Sequence, residues 1–335
     1  MLESGPGFSI GEADPLVALE AELEQYRVAT VPRLTLPPLI GGAVGYVGYD
    51  CVKYFEPRTK RELKDILKLP ESVFMLFDTI VAVDHFSQVI KVFTYLKVPE
   101  NVGDLESAYD DARQNLYETV TILESDAVPE PYQRPIKLNQ KYTSNIGQSG
   151  YEAHVTRLKE HICRGDIIQA VPSQRIARPT SLHPFNIYRQ LRRVNPSPYH
   201  FFVECGDFQI VGASPELLVK SELRRVTTHP IAGTVKRGED PLEDDKLAAE
   251  LRDSLKDRSV HACYPGGHFA MLIVHRAEHV MLVDLARNDV NRVCDPLSTR
   301  VDRLMIVQKF SHVQHLTSEV SGLLRPDKTR FDAFR

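Results

Sequence analysis

The chain has 335 residues, 42% hydrophobic and 26% charged, a balance that provides for one large or two ordinary cores and excludes a disordered or fibrous polymer. Its net charge of −4, with acids and bases interspersed, offers no basic patch to a nucleic-acid backbone. Five cysteines without a CxxC pair read as reduced thiols, no apolar run is long enough to cross a bilayer, and Met1-Leu2-Glu3-Ser4 lacks the features of a signal peptide, so the cytoplasm is the expected compartment.

Asp14-Pro15 reads as an N-cap followed by proline at the first helical position, and Leu16, Leu19, Leu23 and Tyr26 recur on one face, which predicts a helix. Residues 43–49, 73–84 and 88–98, rich in Val, Ile, Phe and Tyr between turn residues, read as strands. The glycines at 41, 42, 45 and 48 alternate with apolar residues and lack the Lys-Ser or Lys-Thr of a phosphate loop. Leu105, Tyr109, Ala112, Leu116 and Ile122 mark a second long helix. From Asp126 to Gln140 three prolines and no period indicate a connector, giving a first domain at 1–125, a linker at 126–145 and a second domain at 146–335. Tyr151, Val155, Leu158 and Ile162 lie on one helical face that stops at Gly165, and this helix is predicted to lead into a strand carrying Gln169. Strand-like runs at 200–204, 207–220 and 300–309, with a helix at 242–255, complete an α+β pattern of adjacent strands, unlike a doubly wound nucleotide fold.

Six segments carry more specific information. In order they are residues 165–175 around Gln169, Asn195-Pro196-Ser197-Pro198-Tyr199, Gly212-Ala213-Ser214-Pro215-Glu216, the loop Thr228-His229-Pro230-Ile231-Ala232-Gly233-Thr234, residues 277–289 beginning Ala277-Glu278-His279, and Ser311-His312-Val313-Gln314-His315-Leu316. Together they resemble the chorismate-using enzymes, and within them the anthranilate synthase component I family. The glycine-rich run 41–50 extends the resemblance into the first third and is most similar to the fungal members.

The resemblance implies a two-domain chorismate-utilising fold of largely antiparallel sheets packed as a sandwich with flanking helices. It implies a lyase that turns chorismate and ammonia into anthranilate and pyruvate with magnesium, in tryptophan biosynthesis. The expected partners are a glutamine amidotransferase subunit that supplies the ammonia, and tryptophan as feedback inhibitor. Ala232, Gly233 and Thr234 would hold the substrate carboxylate. Aminodeoxychorismate synthases carry a nucleophilic lysine at the place of Ala232, whose methyl group cannot attack the ring, which favours direct ammonia addition. Glu216 would donate a proton to the leaving hydroxyl, kept neutral by an apolar wall. Gln169 stands where water-using relatives carry a lysine, and its amide, which does not titrate, can position but not activate water. Glu278 would be a magnesium ligand, as a carboxylate suits a hard cation. His315 would serve as acid or base in the pyruvate-eliminating half of the reaction. Asn195, Pro196, Ser197, Pro198 and Tyr199 would form part of the tryptophan site, whose other half lies in a Leu-Leu-Glu-Ser segment; Leu2-Glu3-Ser4, directly beside Gly5-Pro6-Gly7, is not counted as that element.

Two departures from the family pattern bear on activity. The resemblance implies a chain truncated at both ends, stopping at Arg335 ahead of the segments that bring a tyrosine, an arginine and a second magnesium glutamate, so that the fold is incomplete C-terminally and inactive alone. The alternatives are an aminodeoxychorismate synthase, or a non-catalytic remnant that binds tryptophan or the amidotransferase. Residues 259–276 also separate Lys256-Asp257-Arg258 from Ala277-Glu278-His279, which run on directly in the family. This atypical insertion reads either as an unspliced in-frame intron or as a surface loop with an apolar tip.

Overall fold

A computed structural model describes residues 14–29, 36, 39–214, 216–253 and 270–335, with backbone alone at 253 and 270–277. Gly5-Pro6-Gly7, Pro215, Asp257 and most of the 259–276 insertion lie outside the described residues. The chain divides into two compact units, Met1–Glu130 and Pro131–Arg335.

In the first unit, α1 (Pro15–Glu24) starts where its cap requires: Asp14 Oδ1 accepts from Leu16 N at 2.8 Å and Pro15 opens the first turn. β1 (Gly42–Val47) is followed by the short α2 (Val52–Phe55) and pairs antiparallel with β2 (Ser72–Phe77). A Cβ at Gly45 would lie 1.7 Å from the Val73 carbonyl oxygen, so this pairing needs glycine. The single strand predicted at 73–84 is two strands, because β3 (Thr79–Asp84) leaves β2 at Asp78 to form a hairpin with β4 (Val89–Thr94). α3 (Leu105–Glu124) follows.

In the second unit, α4 (Gly147–Arg164) lies between the paired β5 (Thr143–Ser144) and β6 (Ile176–Ala177), and ends on Gly165 at φ +80°, a left-handed cap that suits glycine. Gln169 is not on a strand, contrary to expectation. Ile168 and Val171 beside it are 78% and 85% exposed, so the β-like composition finds no sheet to join, and Pro172 removes a ladder donor. Residues 131–145 belong with this unit: Gln133 Nε2 donates to Ser181 O at 2.9 Å, its Oε1 accepts from His183 N at 3.0 Å, and Arg178 Nε donates to Gln140 O at 2.9 Å. His183 caps α5 (Pro184–Val194), a helix that the sequence reading did not include.

β7 (His200–Glu204) and β8 (Gln209–Ala213) form a hairpin, and the run predicted at 207–220 is broken between β8 and β9 (Lys220–Glu222). β10 (Arg225–Thr228), β11 (Ile231–Lys236), α6 (Pro241–Asp253), α7 (Ala270–Val293), β12 (Arg300–Lys309), β13 (Val313–Leu323) and α8 (Arg330–Phe334) complete the unit. Residues 270–276 of the insertion are thus the first turns of α7 rather than part of a separate loop. All pairings are antiparallel, and β13 is the centre of a five-stranded sheet, with β12 along one edge and β11 and β10 sharing the other.

Alternation along β13 sets the core. Gln314, Leu316, Ser318 and Val320 are buried on one face, while His315 and Glu319 point to the other. α7 covers the buried face through Val283, Ala286 and Val290, three or four residues apart, which pack with Val226, Cys294, Val320 and Leu324. A Cβ at Gly322 would come within 2.8 Å of Val290 Cγ1, so glycine sets how closely α7 lies on the sheet. No helix among the described residues is long and apolar enough to cross a membrane.

Candidate active site

The segment expected as a substrate loop is largely strand. Ile231 pairs with Thr317 and Thr234 with His315, and between them the register slips to form a bulge at Ala232-Gly233. Gly233 has φ +87°, which glycine adopts without strain, and Ala232 beside it is 7% exposed. The bulge lets backbone approach a ligand while the flanking pairs hold it in place.

Three of the expected catalytic and binding side chains meet on this strand. Thr234 Oγ1 lies 2.9 Å from His315 Nδ1, which orients the imidazole, and the Phe310 ring packs edge-on to it with centroids 5.3 Å apart. Burial pushes the His315 pKa down, favouring the neutral ring. Glu216 Oε1 accepts from Ile231 N at 3.2 Å. Burial raises the Glu216 pKa, and the Ile231 N–H partly opposes it, so the carboxyl is biased towards the protonated form that a general acid requires.

A second pair lies beyond the bulge. Gln169 Nε2 donates to Glu278 Oε1 at 2.8 Å, bringing the loop after α4 onto α7. Next to Glu278, His279 is fully buried and its Nε2 is 2.6 Å from Ser318 Oγ; burial pushes its pKa down, with the Ala232 backbone opposing in part. The structure thus gathers Glu216, Ala232, Gly233, Thr234 and His315 around β11, and connects Gln169 and Glu278 to them through His279. Sequence reading missed His279. Its signal was the 279, 283, 286, 290 spacing, which places a histidine on the core stripe of α7.

Glu278 suits a hard cation in kind, through carboxylate oxygen, with Oε2 not engaged by Gln169. It cannot hold one alone, and among the described residues there is no cluster of three or more His, Cys, Asp or Glu side chains arranged for a metal.

Among the described residues, the Asn195–Tyr199 turn makes no hydrogen bond to these side chains but adjoins them through Ile231 and Phe310. Asn195 closes α5, its carbonyl oxygen lies 2.6 Å from His200 Nε2, and its side-chain oxygen accepts from Ser311 Oγ at 3.2 Å. Pro198 and Tyr199 line a cleft of about 410 Å³ together with Leu217, His229, Ile231 and Phe310. Ile231 is shared: its N–H binds Glu216 and it lines this cleft.

Residues 8–263 and 275–335 match the family model described as chorismate binding enzyme. The chain is 58% identical over its whole length to anthranilate synthase component 1 of Saccharomyces cerevisiae, and 54% identical over 97% of its length to a probable anthranilate synthase component 1 of Schizosaccharomyces pombe. It spans about 62% of the length of each. The crystal structure of anthranilate synthase component I from Streptococcus pneumoniae superposes with a TM-score of 0.76 at 31% identity, over 97% of this chain and 66% of that one. With the family model covering nearly all of its length, and six motifs in the family's order, this chain belongs to the chorismate binding enzyme family.

Proposed function

We propose that the complete protein is the large subunit of an anthranilate synthase, a lyase that converts chorismate and ammonia to anthranilate, pyruvate and water. The observation that carries this reading is the placement of Glu216, Thr234 and His315 around a bulge whose buried residue, Ala232, has no amine. The two yeast relatives of that name support it.

In this reading the β11 bulge, with Gly233 and Thr234, takes the ring carboxylate, and ammonia adds to the ring carbon beside it. Glu216 gives its proton to the departing hydroxyl, which leaves as water. Aromatisation then requires loss of a ring proton and departure of the enolpyruvyl group as pyruvate. His315, held by Thr234 and neutral at pH 7, is placed to take or return a proton at that stage. Gln169 holds the Glu278 carboxylate in orientation. Glu278 would be one ligand of a magnesium ion, which when bound neutralises the substrate carboxylate.

Free ammonia is scarce at neutral pH because it is mostly protonated, so the reading includes a glutamine amidotransferase subunit as its source. The cleft at Pro198 and Tyr199 is the proposed site for tryptophan as feedback inhibitor, and the cytoplasm the proposed compartment. Complementation tests the assignment: the complete gene should restore growth without tryptophan to a strain lacking anthranilate synthase component 1. Rescue of a p-aminobenzoate auxotroph instead would assign an aminodeoxychorismate synthase.

A further inference from the structure

His279 occupies a position on α7 that spacing reserves for an apolar side chain, four residues before Val283 on the stripe that covers β13. It is 0% exposed, and a buried imidazole is retained at a desolvation cost that a leucine would avoid. Its contacts converge on the site. Nε2 meets Ser318 Oγ at 2.6 Å, and that oxygen also accepts from Met305 N at 2.9 Å, at an irregularity in β12 where Met305 has φ +53°. Ser318 N donates to Pro230 O at 3.0 Å, directly before the Ala232-Gly233 bulge. Nδ1 is buried without a hydrogen bond among the described residues.

Ser318 is therefore a junction of β12, β13, the turn that leads into β11, and α7. Through it, His279 fixes α7 against the segment that leads into the bulge, at the turn of helix that presents Glu278 to Gln169. We infer that His279 is a positioning residue, which with Ser318 sets the separation between the Glu278 carboxylate and the Ala232-Gly233 bulge, and so the fit of the substrate's ring carboxylate between them. This rests on the function proposed above. The residue itself touches no substrate.

Loss of this tie weakens carboxylate binding equally in ground state and transition state, which appears in KM. Loss of folded protein appears instead as lower kcat at unchanged KM, because the molecules that remain folded are normal. In the complete protein, Ser318→Ala and His279→Leu are expected to raise KM for chorismate about tenfold with kcat within about threefold of wild type. His279→Gln, whose amide can still meet Ser318 Oγ, should recover most of that loss. Reduced kcat at wild-type KM, or no recovery in His279→Gln, would overturn the positioning role. Where His279→Leu fails to fold, Ser318→Ala carries the test. If wild-type protein makes no anthranilate, the functional reading fails separately, and amide hydrogen exchange decides on the tie: faster exchange across 230–234 in Ser318→Ala upholds it, and unchanged exchange there overturns it.

Discussion

Gln169 Nε2 donates to Oε1 of Glu278 at 2.8 Å, a contact between residues 109 apart in sequence. The pair shows why a glutamine suits this position: it has a donor to hold a carboxylate and no titrating group to compete for a proton. Gln169→Leu in the complete protein should lower kcat/KM by about tenfold, the order of one charge-assisted hydrogen bond at a solvent-accessible site. Glu278→Gln should have the larger effect, partly relieved by raising magnesium. A metal titration of both variants checks this, with equal losses at all magnesium concentrations as the contrary result.

Glu216→Gln keeps shape and removes the proton. Chorismate should still bind, while turnover falls about 10²–10⁴-fold, as for a lost general acid. Burial raises the Glu216 pKa, so ionisation is disfavoured in the fold; this penalty is absent below the unfolded value and grows as pH rises towards the folded one. The variant should therefore melt no lower than wild type at pH 7, with the two converging below about pH 4. Calorimetry at both pH values would register a clear loss of stability at pH 7 as the opposing outcome.

His315 depends on Thr234 for its orientation. Thr234→Ser retains the hydroxyl and should keep turnover within a few-fold, whereas Thr234→Val, of the same shape, leaves the imidazole unpartnered on that side and should cost about tenfold or more. Since burial lowers the His315 pKa, the ring stays neutral until the pH falls below its ordinary 6.5. Activity that depends on the neutral ring should thus persist below that pH in wild type. A kcat profile with an acidic limb above pH 6.5 would disagree.

Asp244 anchors the elements behind the site. Arg237 binds both its oxygens at 2.8 Å, Gly238 N donates at 2.9 Å, and the fully buried Gln314, next to His315, donates at 3.0 Å. Arg237 foremost, with Gly238 N–H and Lys309, holds this carboxyl well below the usual carboxylate range. A depressed pKa stabilises the fold above the unfolded value of about 4, and the gain is lost as pH falls through the folded one. The melting-temperature gap between wild type and Asp244→Asn should accordingly be widest above about pH 5 and narrow on acidification. A gap independent of pH would place the effect elsewhere.

What could be read from the sequence followed from local physics. Asp14-Pro15 and Gly165 set helix ends through single-residue caps, and both ends lie where those residues place them. The site motifs were legible as residue types in order, down to the alanine at 232. The long-range facts were not. That Ile168 and Val171 have no sheet to join, that Ala232 lies in a bulged strand, and that His279 reaches Ser318 all depend on pairings between residues tens of positions apart. Alternating composition around Gln169 looks the same whether or not a neighbouring strand exists to satisfy its backbone. α5 was missed although Pro184 stands at its first turn and Ile187, Tyr188, Leu191 and Val194 recur at helical spacing.

The most direct measurement is product analysis on the purified complete protein with chorismate, magnesium and excess ammonium at alkaline pH, following anthranilate by fluorescence and pyruvate by a coupled assay. Anthranilate and pyruvate should appear in equal amounts, with no 4-amino-4-deoxychorismate, and Glu216→Gln should abolish both products together. Accumulation of 4-amino-4-deoxychorismate, or turnover by Glu216→Gln at the wild-type rate, would contradict the chemistry assigned to Ala232 and Glu216.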